Sequence, residues 1–313
     1  MHGAHQTMQT TKFFKRCVFA ILAENGRRER RRILPMHHIF QGAAMARKFT
    51  SLMVLAFLAV TWTSLSSAQE STYDVVKKRA ALIAGVKNDY PPFGSVDGDG
   101  KWVGIEVDMS KYIADKLGVT LKMEPVTSRT RIPLLVNGNI DLIMNINPTR
   151  ERAKVVDFTR PWFQDGSTLL VHRGSGIQSV KDVAAPKKTG AAQGSANAAQ
   201  LLALQPKADI VYFQEYPQGF LALKQRRVDA LTAGTITLLQ LAKNSPEMEV
   251  LSPPFNPDPE AIGVRYNDSK WRLAIEEIIM DAWADGTIAK LHEKFVGSPV
   301  SFKVELWPDY PQK

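Results

Sequence analysis

The sequence predicts an α/β protein built as two lobes, each with a mainly parallel sheet flanked by helices. Three observations lead there. Short apolar runs alternate with helix-spaced runs from residue 81 onward. A second alternating series starts at "TLLVHR" (168–173). A stretch with four prolines, "LSPPFNPDPE" (251–260), then interrupts that series before a last strand and two helices.

"ALIAGVK" (81–87) reads as a buried strand, and "NDYPPFGSVDGDGK" after it as turns. Asp108 can cap a helix whose apolar positions Met109, Tyr112, Ile113 and Leu117 recur at helical spacing, with Gly118 as its stop. "VTLKMEPV" is the next strand, "RIPLLVNG" the next helix and "IDLIMNI" a strand again. The second series runs strand "TLLVHR", helix "VKDVA", strand "KTGAAQ", helix "SANAAQLLAL", strand "DIVYF", helix "YPQGFLALKQ", strand "VDALTA" and helix "TITLLQLA". After the prolines come strand "AIGVRY" and a long amphipathic helix striped by Trp271, Ile275, Ile278, Ile279 and Ala282. A shorter helix follows with Ile288, Leu291 and Phe295.

Charge separates a leader from the rest. The 313 residues carry a formal charge of +9. Residues 1–68 hold ten of the 40 basic residues and two of the 31 acids, which leaves 30 basic against 29 acidic afterwards. The basic excess belongs to the leader, and nucleic acid is not an expected partner of the remainder. Met45-Ala46-Arg47-Lys48, the apolar "FTSLMVLAFLAV" and the small residues Ser66-Ser67-Ala68 read as a secretory signal peptide over 45–68, cleaved after Ala68. Residues 1–44 are expected to be a non-native or disordered extension.

The only cysteine, Cys17, falls in that extension, so the exported part has no thiol or disulfide chemistry. Its two histidines, His172 and His292, are far apart and lack ligand-spaced neighbours. Metal sites, cofactors and Ser-His-Asp catalysis are not expected. Ligands of open α/β sheets sit beyond the carboxyl ends of the strands. Here those ends are Lys87–Phe93, Val126–Arg131, Asn145–Arg152, Gln193–Asn197, Gln214–Tyr216 and Thr232–Thr235.

Taken together, "GVKNDYPPFG", "GIEVDM", "TSRTRIPLLVNGNIDL", "RERAKVVDFTRPW" and "DGTIAKLHEKF" resemble the family-3 solute-binding proteins, polar amino-acid receptors of bacterial ABC importers. The resemblance covers residues 72–300 and implies a type II periplasmic-binding-protein fold with a ligand cleft between lobes. It implies a first lobe of 69–166 plus 258–313 and a second of 167–257. It also implies a periplasmic, monomeric protein that hands a carboxylate-bearing solute to an inner-membrane permease.

By the same resemblance, Arg152 pairs with the ligand's carboxylate. A planar guanidinium suits that task, and the helix start at Pro148-Thr149 adds N–H groups. A surface ion pair with Glu151 or Asp157 is the plainer alternative for Arg152, and Arg150 matches no binding position. Tyr90 and Phe93 match an aromatic turn against the ligand. Asn147, Ser128 and Arg131 match pocket positions, and Gly194 and Ser195 match a donor turn. Lys87, Arg131 and Arg152 together suggest a ligand with a second acidic group; otherwise Arg131 braces a loop and Lys87 points to solvent.

The sequence departs from the family where an Asp or Glu normally meets the α-amino group. Gly234 and Thr235 stand there, so either Glu215 supplies the charge or the ligand has no amino group. Glu215 is also the one acid available to an alternative, a periplasmic dehydratase acting on a cyclic carboxylate. As a solvated loop acid it would serve neither purpose.

Overall fold

The structure, a computed structural model, describes residues 70–300. The extension, the signal peptide and its cleavage point lie outside the described residues. Helix α1 (Thr72–Arg79) starts at Ser71, whose Oγ accepts from the Tyr73 N–H at 3.2 Å. Strand β1 (Ala81–Val86) follows, then three short antiparallel strands, β2 (Asp89–Tyr90), β3 (Gly94–Val96) and β4 (Trp102–Val103). β2 and β3 lie within the stretch read as turns, and β4 directly follows it. Its glycines, prolines and aspartates do make turns, but the two or three residues between them suffice to pair.

Helix α2 (Ile105–Leu117) begins at Gly104, so Asp108 lies in its first turn and is not its cap. There it faces the positive end of the helix and pairs with Lys294 at 2.7 Å. Met109, Ile113 and Leu117 are buried as the spacing requires, and Gly118 ends the helix in a left-handed conformation. Strand β5 (Thr120–Pro125), helix α3 (Arg131–Val136) and strand β6 (Leu142–Ile146) complete the first series. Beyond it lie a single 3-10 turn, Arg152–Lys154, and strand β7 (Val156–Phe158).

Strand β8 (Phe163–His172) crosses to the second series. That series comprises a 3-10 turn (Val180–Val183), β9 (Lys188–Ala192), α4 (Ala196–Leu204), β10 (Asp209–Phe213), α5 (Tyr216–Lys224), β11 (Ala230–Gly234), α6 (Thr235–Ala242) and β12 (Met248–Val250). Strand β13 (Asn256–Arg265) returns, followed by α7 (Ser269–Ala284) and α8 (Thr287–Val296).

β1 pairs in parallel with β5 and β6, and β9 in parallel with β10 and β11. The two sets are joined edge to edge by antiparallel β8 and β13, giving the strand order β10-β9-β11-β8-β13-β6-β1-β5. The first half of β13 pairs with β8, and the second half with β6 and β7. β8 and β13 are therefore the two chain crossings, and together they form a ribbon.

The proline-rich stretch that interrupts the second series is thus half strand. A strand tolerates proline where the missing N–H faces away from its partner. Pro257 and Pro259 alternate with Asp258 and Glu260. The Glu260 carbonyl accepts from the Trp162 N–H at 2.9 Å, while the Pro259 carbonyl turns the other way, toward the Asn147 amide at 3.5 Å.

The apolar face of α7 packs against α1, α2 and α8: Trp271, Ile275, Ile278, Ile279 and Ala282 are all buried. Ile288 and Leu291 of α8 join them, with Phe295 half-buried at the edge. Truncating the fully buried Trp271 to alanine would cost about 3–5 kcal/mol.

Candidate functional site

The carboxyl ends of β1, β5 and β6 and those of β9, β10 and β11 face each other across the ribbon. Lys87 extends from β1 and is buried. Its Nζ donates to Ser128 Oγ at 2.6 Å and to Glu215 Oε2 at 3.1 Å. It also lies over the rings of Tyr90 (4.4 Å) and Tyr216 (5.0 Å). Burial pulls the ammonium below its usual pKa, and Glu215 opposes that. Lys87 therefore does not point to solvent, and Glu215, 2 % exposed, is not a solvated loop acid. The Glu215 carboxylate also accepts from the Ser128 N–H at 2.8 Å.

Tyr90 stacks on Tyr216 at 5.2 Å and on Phe93 at 5.1 Å. Phe93 is fully buried and meets Phe163 edge-on, so it braces Tyr90 from behind. Arg131, the first residue of α3, donates to the Asn145 carbonyl at 2.5 Å and so ties the β5 loop to β6. Beside Lys87 and Arg131 lies Glu106 of α2, 1 % exposed, which burial pushes up to about 7.

The hint of a doubly acidic ligand rested on three unmatched cations. In the structure Lys87 has a carboxylate, Arg131 a carbonyl and a neighbouring Glu106, and only Arg152 faces no paired acid.

Arg152 makes no ion pair with Glu151 or Asp157. Glu151 pairs with Lys154 at 2.5 Å, and Asp157 accepts from the Asn267 N–H at 3.0 Å. The Arg152 guanidinium donates to the Asn147 carbonyl at 2.9 Å and, across the gap, to the Gly194 carbonyl at 3.0 Å. Burial and then Arg131 pull its pKa down to about 10, so it stays charged at neutral pH. The helix expected at Pro148-Thr149 is only a 3-10 turn starting at Arg152, and Thr149 Oγ1 accepts the Arg152 N–H at 3.2 Å. A helix dipole contributes nothing here. Arg150 is exposed.

The second side is less generous with donors than its glycine-hydroxyl turn suggests. The Ser195 N–H is used by the Ala192 carbonyl at 3.1 Å, and the buried Ser195 hydroxyl lies beside Tyr216. Gly194 has φ +80°, and a Cβ on it would stand 3.0 Å from the Ser128 carbonyl oxygen. Glycine is thus required both by conformation and by the close approach of the two sides. Thr235 turns away: its hydroxyl donates to the Gly166 carbonyl at 2.6 Å, beside a cavity of about 480 Å³ that lies between the ribbon, α6 and α8.

Three acids that the sequence reading passed over complete the site. Asp258 accepts from the side-chain amides of Asn147 (2.8 Å), Asn197 (3.1 Å) and Gln200 (3.3 Å). The Asn147 amide is therefore turned to this carboxylate. Asp165 accepts from the N–H groups of Gly166 (2.7 Å) and Ile236 (3.3 Å). Glu260 is 3 % exposed. The signal for two of them was the alternation in "NPDPEAIGVR", which puts Asp258 and Glu260 on one face of β13.

The model of the bacterial extracellular solute-binding proteins, family 3, matches residues 82–298. A glutamine-binding protein of Geobacillus stearothermophilus is 40% identical over 203 residues, covering 63% of this chain and 78% of the relative. The ABC transporter glutamine-binding protein GlnH of Bacillus subtilis is 32% identical over 257 residues, covering 79% and 94%. Among solved structures, a mutant of the arginine-binding protein ArgBP from T. maritima superposes with a TM-score of 0.68 at 29% identity, covering 72% of this chain and 100% of the other.

Proposed function

Because the chain belongs to the bacterial extracellular solute-binding proteins of family 3, we propose that it captures an L-amino acid with an uncharged polar side chain and passes it to an ABC permease of the inner membrane. The observation that carries this reading is Arg152. It is a charged guanidinium held at the mouth of the gap by carbonyl oxygens from both sides, with no acid of its own. A ligand carboxylate offers it two charge-assisted hydrogen bonds in place of neutral ones, in a partly dry setting where they are stronger.

Lys87 narrows the side chain. Its ammonium lies against the stacked pair of Tyr90 and Tyr216, where a cationic side chain would meet a like charge. Glu215 neutralises it, which removes the case for a second ligand acid. The names of the two glutamine-binding relatives point the same way. The enzymatic alternative loses the acid named for it, since Glu215 is committed to Lys87 and to the Ser128 N–H.

In this reading the lobes are 69–166 with 258–313, and 167–257, and they close about β8 and β13. The protein works as a monomer in the periplasm after cleavage behind Ala68. Expressed with its own leader and purified from the periplasm, it is expected to start at Gln69 by intact mass. L-Glutamine is expected to raise its melting temperature by several degrees, since a ligand of the folded state stabilises by mass action. A screen of the twenty amino acids in which none shifts the transition would refute the reading.

A further inference from the structure

The crossover ribbon concentrates carboxylates on one face. Asp165 of β8 stands directly opposite Asp258 of β13, and Glu260 follows on the same face at the strand period of two. Like charges opposite one another destabilise a ribbon. Yet among the described residues none of the three forms an ion pair. Asp258 is satisfied by three amides. Glu260 is not: its buried Oε2 has no hydrogen-bond partner. Burial, then Asp258, hold Glu260 well above its ordinary pKa, and burial pushes Asp165 up to about 7. Arg131 lies near enough to oppose the shift at Glu260, and Arg152 lies near Asp258 and Glu260, but neither guanidinium forms an ion pair with this face.

Gly234 explains how Asp165 comes to lie there. Its φ of −64° and ψ of 144° suit any residue, so backbone freedom is not the reason for a glycine. A Cβ at this position would collide with Asp165 Oδ2 and stand 3.6 Å from the Tyr90 hydroxyl. The side chain missing from the end of β11 is the room that the Asp165 carboxylate occupies, next to the aromatic turn.

We propose that Asp165 and Glu260, carried by the crossing strands, form the anionic subsite for the ligand's ammonium group. They do the work of the acid that is absent at position 234. This rests on the reading of the ligand as an amino acid. It also removes the need for Glu215, which Lys87 has already taken.

The test compares L-glutamine with glutaramic acid, which keeps the carboxylate and the amide but has no amino group, by calorimetry on the periplasmically purified protein. The wild type is expected to bind glutamine at least about tenfold more tightly than glutaramate. Asp165→Asn and Glu260→Gln are each expected to lose about tenfold for glutamine and no more than about twofold for glutaramate, the signature of a lost charge-assisted contact. Asp165 also caps α6, so a purely structural defect would weaken both ligands equally, and that result would overturn the proposal. The exchange Asp165→Ser with Gly234→Asp returns a carboxylate from β11 and should recover most of the glutamine affinity; failure of this folded double variant to recover counts against the subsite. A wild type that binds both compounds equally overturns the subsite but leaves carboxylate capture standing, which Arg152→Ala, losing both ligands, reports separately. Binding of neither compound by the wild type overturns both readings.

Discussion

Lys87 and Arg152 are both cations of the first series that reach across to the second, and they end differently. Lys87 finds a carboxylate at 3.1 Å, a hydroxyl and two aromatic faces, and is shut away from water. Arg152 finds only carbonyl oxygens and remains half-buried. A buried charge needs a partner of opposite sign, and once paired it has little left for a ligand. A charge held by neutral acceptors keeps most of its capacity. On the proposed function, one end of the gap is therefore a latch and the other the receptor.

Breaking the latch is expected to give the largest effect. Glu215→Ala leaves Lys87 buried without its acid and should cost about 3 kcal/mol in chemical denaturation. Replacing both partners by apolar residues, Lys87→Met with Glu215→Leu, should restore much of that loss, because the desolvation of both charges disappears with them. A double variant as unstable as the single one would show that the pair is not what holds this end.

Removing the receptor comes next. Arg152→Ala should weaken L-glutamine by about 100-fold in calorimetry, equivalent to about 2.7 kcal/mol, while leaving denaturation nearly unchanged. The contrast is the test: the Lys87 end should move stability and the Arg152 end affinity. If Arg152→Ala reduced stability as Glu215→Ala does and spared binding, the assignment of roles would be reversed.

A smaller effect comes from pH. Burial raises both Asp165 and Glu106 to about 7 in the folded chain, from ordinary values near 4 in the unfolded one. The folded state binds these protons more tightly, so their contribution to stability is full below about pH 4 and is lost as pH rises through 7. An ammonium beside Asp165 favours the ionised form. Glutamine affinity should therefore rise over the same window, by roughly tenfold between pH 6 and 8. Asp165→Asn should flatten that rise, and a wild-type affinity independent of pH would contradict it.

Much of the fold was legible because it is written in periodicity. "DIVYF" and "TITLLQLA" became elements with the boundaries their apolar runs suggested, and the α7 stripe is buried as its spacing demands. The failures share a cause. "NDYPPFG" and "NPDPE" consist of residues that break regular structure on average, yet β2 and the first half of β13 need only a few correctly aimed N–H groups. In the site, Arg152, Tyr90, Ser128 and Lys87 come together from strand ends, where sheet geometry puts functional groups. Asp258 and Glu260 escaped notice because an irregular proline-rich stretch and a buried strand can share a composition, and Asp165 because β8 starts five residues before the apolar run "TLLVHR". Only the pairing of β8 with β13 reveals that these acids meet.

The smallest expected effect concerns Arg150, two residues from Arg152. Both arginines follow β6, and sequence spacing alone cannot tell them apart. The turn that starts at Arg152 rotates one guanidinium toward Gly194, while Arg150 is left exposed before it. An exposed arginine has water for its partner and loses little when truncated. Arg150→Ala should change stability by less than about 0.5 kcal/mol and glutamine affinity by less than about twofold. The same substitution two residues on should abolish tight binding. Were the two variants equally harmful, what matters would be the net positive charge of the loop, and the direction in which the 3-10 turn aims one side chain would have no special role.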